Sequence, residues 1–127
     1  MEFLHTDNAP SAIGPYSQAV KVGGLLYTSG QIALTPEGKM LENDIKVQTR
    51  QVLENIKSIL DDNQSSLDRV IKVNIFLDDM KDFGVVNVIY AEVFGDHKPV
   101  RSTVAVQTLP KNALVEMDVI ATVYDYH

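Results

Sequence analysis

No cysteine occurs in the 127 residues, which excludes a disulfide scaffold, a thiolate nucleophile and the usual zinc knuckles. A surplus of basic charge is missing as well. Eleven Lys and Arg stand against seventeen Asp and Glu, a formal charge of −6, and no basic cluster offsets it. The overall field therefore attracts neither RNA nor an anionic membrane surface, and no nucleic-acid partner is expected. No apolar run approaches the roughly 20 residues of a membrane span. Met1-Glu2-Phe3-Leu4-His5 lacks the basic and apolar regions of a signal peptide, so no membrane association and a cytoplasmic location are the expectation. What is present is ordinary: 45% hydrophobic and 22% charged residues are the proportions of a globular protein. The length fits one domain, residues 1–127, able to bury a real core.

The chemically most telling stretch is Lys98-Pro99-Val100-Arg101-Ser102-Thr103-Val104-Ala105-Val106. It sets one arginine at the mouth of a short strand, directly after a proline-marked loop. Alternation puts Arg101, Thr103 and Ala105 on one face and Ser102, Val104 and Val106 on the other. A guanidinium held at a strand end, beside backbone N–H groups, suits a planar carboxylate gripped through two parallel hydrogen bonds. The plainer reading is a solvated surface arginine in a salt bridge.

Along the chain, Asn8 to Tyr16 is turn-rich and predicts an irregular arm. Tyr16–Val22 and Leu25–Ser29 read as two strands joined by Gly23-Gly24, a two-residue hairpin signal. Gly30, between Ser29 and Gln31, marks either a bulge or a close backbone approach to a ligand. Thr35-Pro36-Glu37-Gly38-Lys39 is a turn. Asp44–Asp62 carries the apolar stripe Ile45, Val52, Leu53, Ile56, Ile59 and Leu60 of a helix, capped by Asn43 or Asp44. Asp61 and Asp62 lie unfavourably at its negative end, and Asn63 is the expected left-handed stop. Val70–Leu77 alternates as a strand, and a second helix with the stripe Phe83, Val86, Tyr90, Val93 and Phe94 ends at Gly95. Asn87 falls inside that stripe, which predicts a partly buried carboxamide that either ties down backbone or faces a polar pocket. A long turn over Gln107–Ala113 leads to the last strand, Leu114–Tyr124, with Glu116, Asp118, Ile120, Thr122 and Tyr124 on one face.

Two successive right-handed crossovers put both helices on one face of the sheet. The other face is left bare, carrying Phe76, Ile120 and Tyr124 among polar residues. It is too apolar to be left to water, and an oligomer would cover it.

Five separated motifs, in order, carry a resemblance. Ile13-Gly14-Pro15-Tyr16-Ser17-Gln18-Ala19, Thr28-Ser29-Gly30-Gln31-Ile32, Gln48 to Ile56, Pro99-Val100-Arg101-Ser102-Thr103-Val104 and Leu109-Pro110-Lys111 resemble the RidA (YjgF/YER057c/UK114) family of reactive-intermediate deaminases, from about Asn8 to Ala121. The resemblance implies a chorismate-mutase-like α+β fold, a mixed sheet with an N-terminal hairpin and two helices on one face, and a homotrimer with a site in each intersubunit cleft. It implies hydrolysis of enamines and imines of the 2-aminoacrylate and 2-iminopropanoate type to 2-oxo acids and ammonia, with no metal and no cofactor. Carried over by position, Arg101 binds the substrate carboxylate, supported by the backbone of Thr103, and Glu116 orients or protonates around the attacking water. Tyr16, Ser29 and Gly30 match residues lining the cleft, and Asn87 one close to it.

Thr103 stands where a number of relatives carry cysteine, and Asp118 replaces a second glutamate. Ala105 and Gln107-Thr108 also depart from the acidic and basic residues often found there. These bear on substrate preference more than on activity. The rival readings are a non-catalytic carboxylate-binding regulator and, against the acidic balance, an endoribonuclease or translation inhibitor. In the inferred sheet the Val70–Leu77 strand separates Arg101 from Glu116 by about 10 Å laterally. Each site is therefore expected to draw Arg101 from one subunit and Glu116 from its neighbour.

Overall fold

The computed structural model describes residues 1–124. Strands β1 (Glu2–Leu4), β2 (Ala19–Val22), β3 (Leu25–Thr28), β4 (Val70–Leu77), β5 (Val100–Ala105) and β6 (Val115–Thr122) form one sheet in the order β1-β2-β3-β6-β4-β5. Only the β4–β5 pair is parallel; the other neighbours run antiparallel. Helices α1 (Ile45–Asp61) and α2 (Phe83–Phe94) supply the long connections. No helix among the described residues is long and apolar enough to cross a membrane.

Alternation builds the core. Along β6, Val115, Met117, Val119 and Ala121 are at most 2% exposed, facing Val52, Ile56 and Ile59 of α1 in the same cluster. Each such aliphatic side chain contributes about 1.5–3 kcal/mol on burial. The intervening Glu116, Asp118, Ile120 and Thr122 are only half-buried on the opposite face. Asp44 caps α1, its carboxylate accepting from the N–H groups of Lys46 and Val47 at 2.9 and 3.1 Å, and Gly95 ends α2 at φ +61°.

Several local expectations are corrected. The N-terminal segment adds a strand, β1, too short to carry a readable alternation. The hairpin strand starts at Ala19 rather than Tyr16, although the Gln18 carbonyl still accepts from the Ser29 N–H at 2.8 Å; the Gln18 side chain turns to the arm. Its buried carboxamide accepts from the N–H of Thr6 and donates to the carbonyls of Thr6 and Pro10, pinning the irregular arm to the sheet. The left-handed residue after α1 is Gln64, at φ +64°, not Asn63; the Asn63 side chain instead donates to the Ile59 carbonyl at 2.7 Å. The acidic end of α1 is compensated. Lys57 pairs with Asp61 one turn away at 2.6 Å, and hydrogen bonds from Thr6 and Asn8 hold the Asp62 carboxyl below its usual range. The Gln107–Ala113 turn contains a single helical turn, Pro110–Asn112, in which Lys111 and Asn112 both take φ +55°.

Candidate functional site

The seven residues singled out above fall into two groups. The first lies where β3 runs into β6. From the Tyr27–Ile120 pair to the Gln31–Met117 bridge, β3 advances four residues while β6 advances three, so one residue is extra and the strand bulges. Gly30 sits in that bulge, and the glutamate of β6 crosses over it. A Cβ at Gly30 would stand 2.8 Å from Cδ of Glu116 and closer still to Oε2. The bulge reading of Gly30 therefore holds, and the group that approaches its backbone so closely is the chain's own Glu116.

Around this contact lies a cavity of about 270 Å³ lined by Tyr16, Ser29, Gly30, Ile32, Lys111 and Glu116, among others. Buried carboxamides fix its walls. Gln18 holds the arm, Gln31 donates to the Ser29 hydroxyl at 3.2 Å, and Asn55 of α1 donates to the carbonyls of Ile32 and Leu34 at 3.2 and 2.9 Å. Gln48 accepts from the Leu114 N–H at 2.9 Å, fixing the start of the Glu116 strand. Burial raises the proton affinity of Glu116, and the negative charge of Asp118 on the same face raises it further. Asp118 is itself fixed by a 2.8 Å hydrogen bond from Asn74.

The second group lies on β5, the outermost strand. Arg101 pairs in register with Val73, and Thr103 with Ile75. Both β4 partners face the core, so Arg101 and Thr103 point to the helix side. There the guanidinium donates to Oδ1 of Asn87 at 2.7 Å and lies over the rings of Tyr90 and Phe83, 4.9 and 5.5 Å from their centroids. The Val106 N–H reaches the Leu77 carbonyl, so by strand alternation the N–H groups of Arg101 and Thr103 face outward from the sheet edge. The expectation of a partly buried Asn87 is corrected: Asn87 is exposed, on the side of the outermost strand β5, where it meets Arg101. Its partner is a side chain, Arg101, rather than backbone.

The two groups do not meet. Glu116 pairs with Phe76 and Arg101 with Val73; these β4 residues are an odd number apart and point to opposite faces. The strand order confirms that β4 lies between them, which adds about 10 Å of lateral separation. Reading the sequence missed the opposite facing. It also missed the scaffolding carboxamides and Lys111, a cation on the Glu116 wall whose backbone adopts a left-handed conformation that carries no composition signal outside Gly and Asn.

Among the described residues no cluster of three or more His, Asp or Glu side chains is placed to hold a metal ion.

Comparison with known proteins places this geometry. Residues 6–123 match the family model described as Endoribonuclease L-PSP. A RutC family protein of Pyrococcus horikoshii is 53% identical over 94% of this chain and 96% of its own length. A solved structure of the conserved Rid protein family from Yersinia pestis superposes with a TM-score of 0.94 at 50% identity, covering 96% of this chain and 98% of that one. The Escherichia coli protein TdcF, solved with bound serine, superposes at 0.91 with 38% identity over 96% of this chain and 98% of its own. With matched residues spanning both the Arg101 edge and the Glu116 wall, the chain belongs to the RidA (YjgF/YER057c/UK114) family, the Endoribonuclease L-PSP family of proteins.

Proposed function

We propose that the protein hydrolyses reactive enamines and imines of the 2-aminoacrylate and 2-iminopropanoate type to 2-oxo acids and ammonia, in clefts between the subunits of a homotrimer. The observation that carries this reading is the facing of the two groups. A carboxylate-seeking arginine and an acid of raised proton affinity stand on opposite faces of one sheet, so a second copy is needed to bring them together. The bare face supports the assembly: Tyr27, Val104 and Tyr124 are 37%, 47% and 40% exposed there, a surface suited to a second apolar surface rather than to water.

In this reading the substrate carboxylate lies against Arg101 and the outward N–H of Thr103. The neighbouring copy contributes the wall of Tyr16, Ser29, Gly30 and Glu116. An imine carbon is already electrophilic, so anchoring, a positioned water and proton transfer suffice. The ionised Glu116 accepts a proton as water adds to the C=N carbon, and the proton passes to nitrogen. The C–N bond of the resulting carbinolamine then breaks as its hydroxyl proton passes to the nitrogen, releasing ammonia and leaving the 2-oxo acid. An enamine first takes a proton on its terminal carbon to give the imine. Serine in the TdcF structure supports a small amino acid-like carboxylate as the class of ligand.

Generating 2-aminoacrylate in solution and following 2-oxo acid release tests the reaction. Release faster than the spontaneous rate supports the deaminase. A rate equal to it, with binding of small carboxylates intact, replaces catalysis with carboxylate sensing. Light scattering coupled to size exclusion tests the assembly, with about three times the 14.1 kDa chain mass expected.

A further inference from the structure

Phe83, Asn87 and Tyr90 stand four and three residues apart on α2 and so share one helix face. All three meet the guanidinium of Arg101. Asn87 takes one N–H of Nη1 at 2.7 Å, and the two rings lie beneath the guanidinium carbon. Tyr90 is 8% exposed and stacks on Phe94 with centroids 4.6 Å apart, so the floor under the arginine is itself immobilised. The Tyr90 hydroxyl is buried without a hydrogen-bond partner; what this residue offers Arg101 is its ring.

We propose that this helix face is a brace that sets the roll of the Arg101 side chain, and that Asn87 is a positioning residue acting through Arg101 rather than a group that touches substrate. An unbraced arginine at an exposed strand edge samples many rotamers and must be ordered when a ligand binds. Here one point contact fixes the in-plane rotation and two ring faces fix the tilt. Because Asn87 occupies only Nη1, the Nε–Nη2 edge keeps both of its parallel N–H donors, and that edge is the one presented to a carboxylate.

The inference rests on Arg101 being the carboxylate anchor, so the test separates anchoring from turnover. Calorimetric titration with 2-oxobutanoate, a carboxylate that cannot be deaminated, reads the anchor alone. Wild type is expected to bind it, Asn87→Ala about tenfold more weakly, the loss associated with one hydrogen bond to a charged group. Tyr90→Leu is expected to weaken binding, and the ring-retaining Tyr90→Phe to restore wild-type affinity. In the imine assay Asn87→Ala should raise KM about tenfold with kcat within about twofold, the signature of lost uniform binding. A loss of folded protein would instead lower apparent kcat at constant KM. Unchanged affinity in Asn87→Ala, a fall in kcat at constant KM in protein whose melting curve shows it fully folded, or failure of Tyr90→Phe to restore binding overturns the brace. Wild type that binds 2-oxobutanoate without turning over imine overturns the deaminase and leaves the brace to be decided by the variants. Wild type that does neither overturns both.

Discussion

Around Arg101 the supporting contacts come from side chains of a single helix, whereas around Glu116 they come from a backbone bulge, a clearance left by glycine and loops pinned by buried carboxamides. The two regions also differ in their surroundings. Arg101 is exposed at the edge of the sheet, its charge in contact with water and its outward N–H groups free. Glu116 is half-buried next to Asp118, which together raise its proton affinity. An exposed cation is poised to receive an anion, and a partly dehydrated acid is poised to exchange a proton with water. What the contrast teaches is that the fold places an exposed cation and a partly dehydrated acid on opposite faces of one sheet; in the proposed reaction these are the binding and proton-transfer halves, united by assembly.

The strongest way to break the comparison is on the arginine side. Arg101→Lys keeps the charge but loses the planar fork, and kcat/KM for carboxylate-bearing imines should fall about a hundredfold, as for loss of bidentate charge-assisted binding. The melting temperature should barely change, since the residue is exposed. Near-normal turnover in this variant would make Arg101 structural.

On the acid side the corresponding lever is Gly30→Ala. The added methyl displaces the end of Glu116, a flexible side chain, so stability should hold within the ordinary range for a surface change. Misplacing the acid should lower kcat about tenfold or more, with KM little altered. Equal losses in KM and kcat would indicate that Gly30 serves the anchor as well.

A smaller effect sharpens the electrostatic half of the comparison. The folded-state proton affinity of Glu116 is raised, first by burial and then by Asp118. If ionised Glu116 is the base, activity is lost as pH falls through that raised value. Asp118→Asn removes one cause of the shift, so the acid limb of the kcat profile should move to lower pH. A limb that stays in place, or moves upward, would show that another group controls it.

Much of this architecture is legible in the residues themselves. The stripe of α1, its Asp44 cap and the alternation of β4 and β6 are local patterns, and each appears in the fold within a residue or two. The relation of Arg101 to Glu116 is not local. Alternation tells which residues share a face within β5 and within β6, but their relative facing depends on two successive registers through β4, which only the assembled sheet fixes. Asn87 was misplaced for a similar reason. Helical periodicity gives the direction of a side chain, while burial depends on what lies in that direction, and past β5 the sheet ends. Gln48 and Asn55 interrupt the apolar pattern of α1, yet both are almost fully buried. Their carbonyl and amide partners come from loops that no periodicity describes.

The most direct test of the central claim uses two inactive proteins. Arg101→Ala and Glu116→Ala are each expected to assemble and to lack deaminase activity. Unfolded together in equal amounts and refolded, they should form a population of trimers in which about one cleft in four overall, about one in three within each mixed trimer, receives a wild-type arginine from one copy and a wild-type glutamate from the next, if assembly is random and cyclic. Activity should return to about a quarter of the wild-type level. Mixed trimers, verified by mass, that remain as inactive as either parent would contradict the account.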